Sequence, residues 1–210
     1  MDVTIIGAGN MGRGIGTRVV AGGHNVTYID GNPETAEKTA VEVRAAAKKG
    51  AKVNTASLGD VDLGDVVVLA VWYGVNIELV KQLGSRLAGK VVVDIANPLN
   101  STYDGLATAS DSSSAEDVAK AAAPGVKVVK AFNTTFAGTL VGGQPLDVFI
   151  AGNDADAKAV VAQIVTDGGM RPLDTGPLSR ARQIEGLQLL HIVLQGSLGN
   201  TWSSAVRILG

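Results

Sequence analysis

The chain has 210 residues, no cysteine and a formal charge of −2 from 18 basic and 20 acidic side chains. That length supports one sizeable core, alone or with a small appended lobe. The charge balance gives no footprint for nucleic acid or an anionic membrane, and the absence of cysteine excludes disulfides, thiolate metal sites and cysteine nucleophiles together. An apolar strand over 3–6 runs into Gly7-Ala8-Gly9-Asn10-Met11-Gly12, a helix over 11–21 follows and is closed by Gly22-Gly23, and a second strand over 26–29 ends at Asp30. Pro33 opens a helix reaching about Lys49, with Ala36, Ala40, Val43 and Ala47 at helical spacing. A short strand is predicted over 51–54. The run 66–71, bounded by Gly64-Asp65 and Trp72, is continuously apolar and reads as a parallel strand buried on both faces.

Further along, Val75, Leu79, Val80, Leu83 and Leu87 mark a covering helix over 75–87, and 91–95 is another buried strand, ended by Asn97-Pro98. Residues 99–114 are rich in Ser, Thr, Asp and Gly, which fits either a loop over the working edge of the sheet or an exposed linker. Ser114 is placed to cap a helix carrying Val118 and the alanines up to Ala123. A strand over 126–132, a short helix over 136–141, a strand over 147–151, a helix over 155–166 and a strand over 171–174 complete the alternation. The closing helix begins near Leu178 and carries Ile184, Leu187, Leu190, Ile192, Val193 and Leu194. These cover more than one face, which predicts packing against more than one neighbour, a second subunit included. Strands alternating with helices predict an α/β fold, a Rossmann doubly wound, mostly parallel sheet with a small C-terminal α/β lobe. The division expected is a dinucleotide-binding domain over 1–135 and a lobe over 136–210, with one continuous globule as the alternative.

The glycine turn has its full context: a strand before it, a helix after it, and Asp30 about 18 residues past Gly12. Gly7 permits the tight turn, Gly9 lets a pyrophosphate approach the backbone, and Gly12 lets helix and sheet pack closely. The N-terminus of the helix beginning near Asn10, with Met11 beside it, then receives the pyrophosphate. Ligands of such sheets sit at the carboxyl ends of the strands, which here are 7–12, Asp30 to Asn32 with Gly31 between, Ala70, Val71, Trp72 and Tyr73, Ala96, Asn97 and Pro98, and Asn133 and Thr134 with Thr135. No acid, base or nucleophile stands out among them, so no catalytic side chain is assigned. Such an edge suits cofactor-borne hydride transfer, in which protein orients two rings and excludes water.

Asp30 accepts ribose hydroxyls but repels a 2′-phosphate, and Gly31 and Asn32 bring no cation, so the residues favour NAD(H) over NADP(H). The alternative role for Asp30 is capping the helix at Pro33. Trp72 and Tyr73 wall the nicotinamide pocket or serve as surface or dimer aromatics; Asn133 and Thr134 bond the carboxamide or a second substrate, or cap a helix. His191 reads as a satisfied core histidine and His24 as structural, and no HxxxH or HxH spacing supports a metal site. The first strand begins at once, leaving no room for a leader, and no apolar stretch reaches the roughly 20 residues that span a bilayer, so a cytoplasmic protein is expected.

Several segments together resemble the F420-dependent NADP oxidoreductases and the related reductase domain of the metalloreductases. They are Ile5-Ile6-Gly7-Ala8-Gly9-Asn10-Met11-Gly12, Gly23-His24, Leu69-Ala70-Val71-Trp72, Val129-Lys130-Ala131-Phe132-Asn133-Thr134, and residues 168–178. The resemblance implies hydride transfer between a reduced nicotinamide, NAD or NADP, and F420 or a flavin as co-substrate. It also implies a homodimer with a C-terminal lobe over the ring cleft. It places the nucleotide at 7–12 and the rings at Val71-Trp72, Ala96-Asn97-Pro98 and Asn133-Thr134. Asp30-Gly31-Asn32 departs from the small hydroxyl residue and arginines of NADP-binding members. The alternatives are a dehydrogenase of a small hydroxy acid or imine, disfavoured because roughly 75 residues are too few for its helical domain, and a non-catalytic NAD-binding sensor.

Overall fold

Alternation inside the strands decides the layers. The computed structural model describes residues 1–48 and 50–209. Among them β1 (Asp2–Ile6), β2 (Asn25–Ile29), β3 (Val53–Thr55), β4 (Val66–Leu69), β5 (Val91–Asp94), β6 (Lys127–Lys130), β7 (Asp147–Gly152) and β8 (Arg171–Gly176) form an eight-stranded sheet ordered β3-β2-β1-β4-β5-β6-β7-β8. Val66, Val68, Val91 and Val93 face one hydrophobic core, while Val67, Leu69 and Val92 face the other. Side chains alternate across a strand, so a run of apolar residues buries both faces at once.

Each core is closed by helices. α1 (Asn10–Ala21), α2 (Pro33–Arg44), α5 (Ala137–Val141) and α6 (Ala155–Asp167) supply Ile15, Val19, Ala40, Val43, Leu140, Val161 and Ile164 to one face. On the opposite face α3 (Tyr73–Leu83) and α4 (Ser114–Ala121) supply Val80, Leu83, Ala115 and Val118, joined by Leu178 and by Ala181 of α7 (Ala181–Val193). All adjacent strands are parallel except β6 and β7. The α/β, doubly wound, mostly parallel architecture is therefore the observed one, and the sheet passes residue 135 without a break.

Several boundaries move. The helix opened by Pro33 ends at Arg44, and Lys49, its anticipated end, lies outside the described residues. The apolar run at 66–71 is a strand only through Leu69, because Ala70 and Val71 turn towards α3. Gly84, at φ +50°, ends α3, and a 3-10 turn (Gly84–Leu87) completes the segment read as one helix. The cap of α4 is Ser113, not Ser114: the Ser113 Oγ accepts the Glu116 N–H at 3.2 Å and donates to the Glu116 carboxylate at 2.9 Å, a reciprocal pair that fixes the start one residue earlier. Leu178–Arg180 is likewise a 3-10 turn leading into α7. Among the described residues no helix is long and apolar enough to cross a membrane.

Candidate functional site

The turn after β1 organises the carboxyl edge. Gly7 has φ +103°, a region that glycine alone enters at little cost, and its N–H reaches the Ile29 carbonyl at 2.8 Å. A Cβ on Gly12 would collide with the Gly7 carbonyl, whereas a Cβ on Gly9 would meet nothing within 4 Å. The backbone at Gly9 is thus open to a ligand, and no side chain caps the N-terminus of α1 behind it. Free N–H groups and the positive helix end there match the demands of a pyrophosphate.

Two clefts flank this turn and share Val71. The first, about 710 Å³, is lined by Gly7, Asp30, Gly31, Pro33, Ser57 and Val71, and among the described residues Asp30 is the one charged side chain on its walls. The Asp30 carboxylate accepts the Ala8 N–H at 2.8 Å and the Asn32 N–H at 2.9 Å. Asn32, in turn, caps α2 by accepting the Glu34 N–H at 3.0 Å, so the capping considered for Asp30 belongs to Asn32. A narrower groove on the outer side of the turn brings Arg13, Thr35 and Lys38 beside Gly9 and Asn10; Arg13 is paired with Glu42 at 2.7 Å.

The second cleft, about 500 Å³, is lined by Gly9, Asn10, Met11, Ala70, Trp72, Tyr73, Ala96 and Asn97. Tyr73 donates its hydroxyl to Asp117 at 2.7 Å; burial and that carboxylate push its phenol up to about 12. Asn133 and Thr134 lie one layer below, each 2% exposed. The Asn133 amide donates to Asn97 Oδ1 at 2.9 Å, and Asn97 returns a bond to the Asn133 carbonyl at 2.9 Å. That clasp orients Asn97 in the cleft wall, while Pro98 stays outside the lining.

Three groups went unread in the sequence. Thr55 at the end of β3, with Ala56 and Ser57 after it, rims the first cleft, and Tyr103, Ile192 and Trp202 line the second. Beneath Ala96, the Lys130 ammonium lies 2.8 Å from both Asp94 and Glu185 and also bonds the Ala96 carbonyl, with all three side chains fully buried. Burial pushes the Glu185 carboxyl up, opposed by Lys130. A lysine inside the apolar stretch Val128-Val129-Lys130-Ala131 was the available signal, since an unpaired charge does not survive in a buried strand. The two histidines have structural partners: His191 meets Gln188 and Ser204 at 3.1 and 2.8 Å, and His24 meets Asp167 at 3.0 Å.

A family model described as NADP oxidoreductase, coenzyme F420-dependent, matches residues 2–98. The chain is 31% identical to the F420-dependent NADP reductase of Methanocaldococcus jannaschii over 92% of each protein. This chain belongs to the F420-dependent NADP oxidoreductase family. A member structure from Arthrobacter sp. FB24, a putative F420-dependent NADP reductase, superposes with a TM-score of 0.83 at 29% identity and covers 99% of both chains. The rat metalloreductase STEAP3 is 32% identical over 89% of this chain, which spans 36% of that longer protein. The Arthrobacter structure and this chain thus share the α/β frame over nearly their whole length.

Proposed function

We propose that this oxidoreductase transfers hydride between a nicotinamide dinucleotide and the ring of F420 or a flavin. The observation that carries the reading is the pair of clefts meeting at Val71 on either side of the glycine turn, of which we assign the first to the adenosine half and the second, about 500 Å³, to the rings. The nicotinamide supplies the hydride chemistry when bound. Gly9 and the α1 N-terminus hold its pyrophosphate, Asp30 takes the ribose hydroxyls, and Ala70, Val71, Trp72, Ala96 and Asn97 orient the rings and keep water from between them. Because this edge offers no nucleophile, orientation is the protein's contribution.

Asp30 favours NADH. A 2′-phosphate beside a carboxylate is repelled, and among the described residues the walls of the first cleft carry no cation. Titration of NADH and NADPH tests this: wild type prefers NADH, Asp30→Ser loses roughly tenfold or more in NADH affinity, and equal wild-type affinities overturn the preference. Lys38 favours a second reading. It faces the outer groove with Arg13, near enough to Glu42 to help hold that carboxyl low; a 2′-phosphate seated there makes NADPH the donor, and Lys38→Ala then weakens NADPH alone. Turnover with F420 and with FMN, each against both nicotinamides, tests the reaction itself. Binding of NADH with no reduction of either acceptor leaves the NAD-sensor reading.

The chain is further read as a homodimer. Leu190, Val193, Leu194 and Leu198 are 55, 58, 44 and 50% exposed on and just after α7, a row of large apolar side chains suited to a second copy.

A further inference from the structure

The chain contains few aromatic residues, 2 Trp, 3 Tyr and 3 Phe. Both tryptophans and two tyrosines line the second cleft, and they come from separate segments: Trp72 and Tyr73 follow β4, Tyr103 sits in the 99–113 loop, and Trp202 lies beyond the last helix. Trp72, Tyr103 and Trp202 are 80, 57 and 48% exposed, although burial is where such side chains gain most. Tyr103 and Trp202 also hold left-handed backbone, at φ +60° and +50°, a conformation strained for a non-glycine residue. Exposed apolar surface and backbone strain therefore coincide on one cleft.

The tail that carries Trp202 is held by residues that follow it. Ser204 is bonded by His191 Nε2 at 2.8 Å and accepts from the Gln195 amide at 2.9 Å, both side chains belonging to the buried polar stripe of α7 and the turn after it. Phe136 packs on the His191 ring with centroids 4.5 Å apart and meets Trp202 edge-on at 5.3 Å. Farther along, the Ile208 N–H donates to Asp147 at 2.7 Å. These contacts hold the indole at the cleft wall without covering it.

We infer that Trp202 is a specificity-determining residue that recognises the planar ring of the second substrate, and that the His191 and Gln195 bonds to Ser204 are the latch that positions it. An indole prefers an offset or edge-on aromatic partner, and a heteroaromatic tricycle in the cleft supplies one. Trp202 discriminates by ring area, so flat tricyclic acceptors bind and small aliphatic ones do not. The inference rests on the reading of the second cleft as the acceptor site.

Binding and turnover measured separately test it. Equilibrium titrations of F420 and of FMN are run on nicotinamide-loaded wild type, Trp202→Ala, Trp202→Phe and Ser204→Ala, with thermal unfolding to verify the fold and NADH affinity as the internal control. Trp202→Ala weakens ring binding about tenfold, Trp202→Phe recovers most of that loss, Ser204→Ala gives an intermediate loss, and NADH affinity stays within about twofold in all. Ring affinity unchanged in folded Trp202→Ala overturns the role of Trp202. A Ser204→Ala protein that loses thermal stability but keeps wild-type ring affinity overturns the latch. Wild type that binds a ring without reducing it removes the proposed reaction and leaves Trp202 decided by the titrations; wild type that binds neither ring overturns both.

Discussion

Lys130 shows how much one residue can commit in a buried strand. Its ammonium neutralises one of the two carboxylates it touches, and its removal strands Asp94 and Glu185 in a fully buried site. Lys130→Met is therefore expected to cost about 3–5 kcal/mol in urea unfolding, and the triple change Asp94→Asn, Lys130→Met, Glu185→Gln to recover more than half, because the penalty comes from uncompensated charge. Two other buried groups give the chain opposing pH responses. Burial lowers the His191 pKa, so its contribution is complete above the ordinary histidine value and is lost as pH falls below it; the raised Glu185 carboxyl contributes at low pH and loses its share as pH rises through its folded value. The drop in Tm between about pH 7 and about pH 5.5 should be smaller in His191→Gln than in wild type, with a parallel slope removing histidine from the account. Asp30 was legible from spacing alone, whereas its two backbone donors, Ala8 and Asn32, required the folded turn.

Among the elements, strands were legible and helix ends less so. A continuous apolar run names a two-faced strand whatever surrounds it, as in β4 and in Val91-Val92-Val93 of β5, because both faces of a central parallel strand are covered. Caps depend on which of two adjacent serines reaches the free N–H groups, and the run Ser112-Ser113-Ser114 does not say. The reciprocal bonds of Ser113 with Glu116 predict that Ser113→Ala lowers stability by about 1 kcal/mol while Ser114→Ala, whose Oγ has no partner among the described residues, costs less; chemical denaturation of both variants checks the order. α7 was the least legible element. It buries Glu185, Gln188 and His191 and turns Leu190 and Val193 outward, the reverse of the usual pattern, since its inner neighbours are an ammonium and a polar tail.

For the whole molecule, the outward apolar face of α7 is the surface proposed for a second copy. Leu190→Glu with Val193→Glu should convert a dimer to a folded monomer in sedimentation velocity, and a monomeric wild type at micromolar concentration would remove the proposal. The early and late halves of the chain are joined by buried Arg18, which donates from α1 to the carbonyls of Leu140 at 2.7 Å and Gln144 at 2.6 Å, beyond the sheet position where a lobe was anticipated. By itself the sequence determined the layers, the strand alternation, the glycine turn and its acid, because these are set by local periodicity and by backbone needs that one residue type meets. Only the tertiary structure decided that Lys130 sits between Asp94 and Glu185, that Asn133 lies beneath the cleft instead of in it, and that Trp202 reaches the edge where Gly9 lies. Each of those is a contact between segments distant in the chain, and side-chain pairing across such distances is chosen by packing and charge compensation after the sheet has formed.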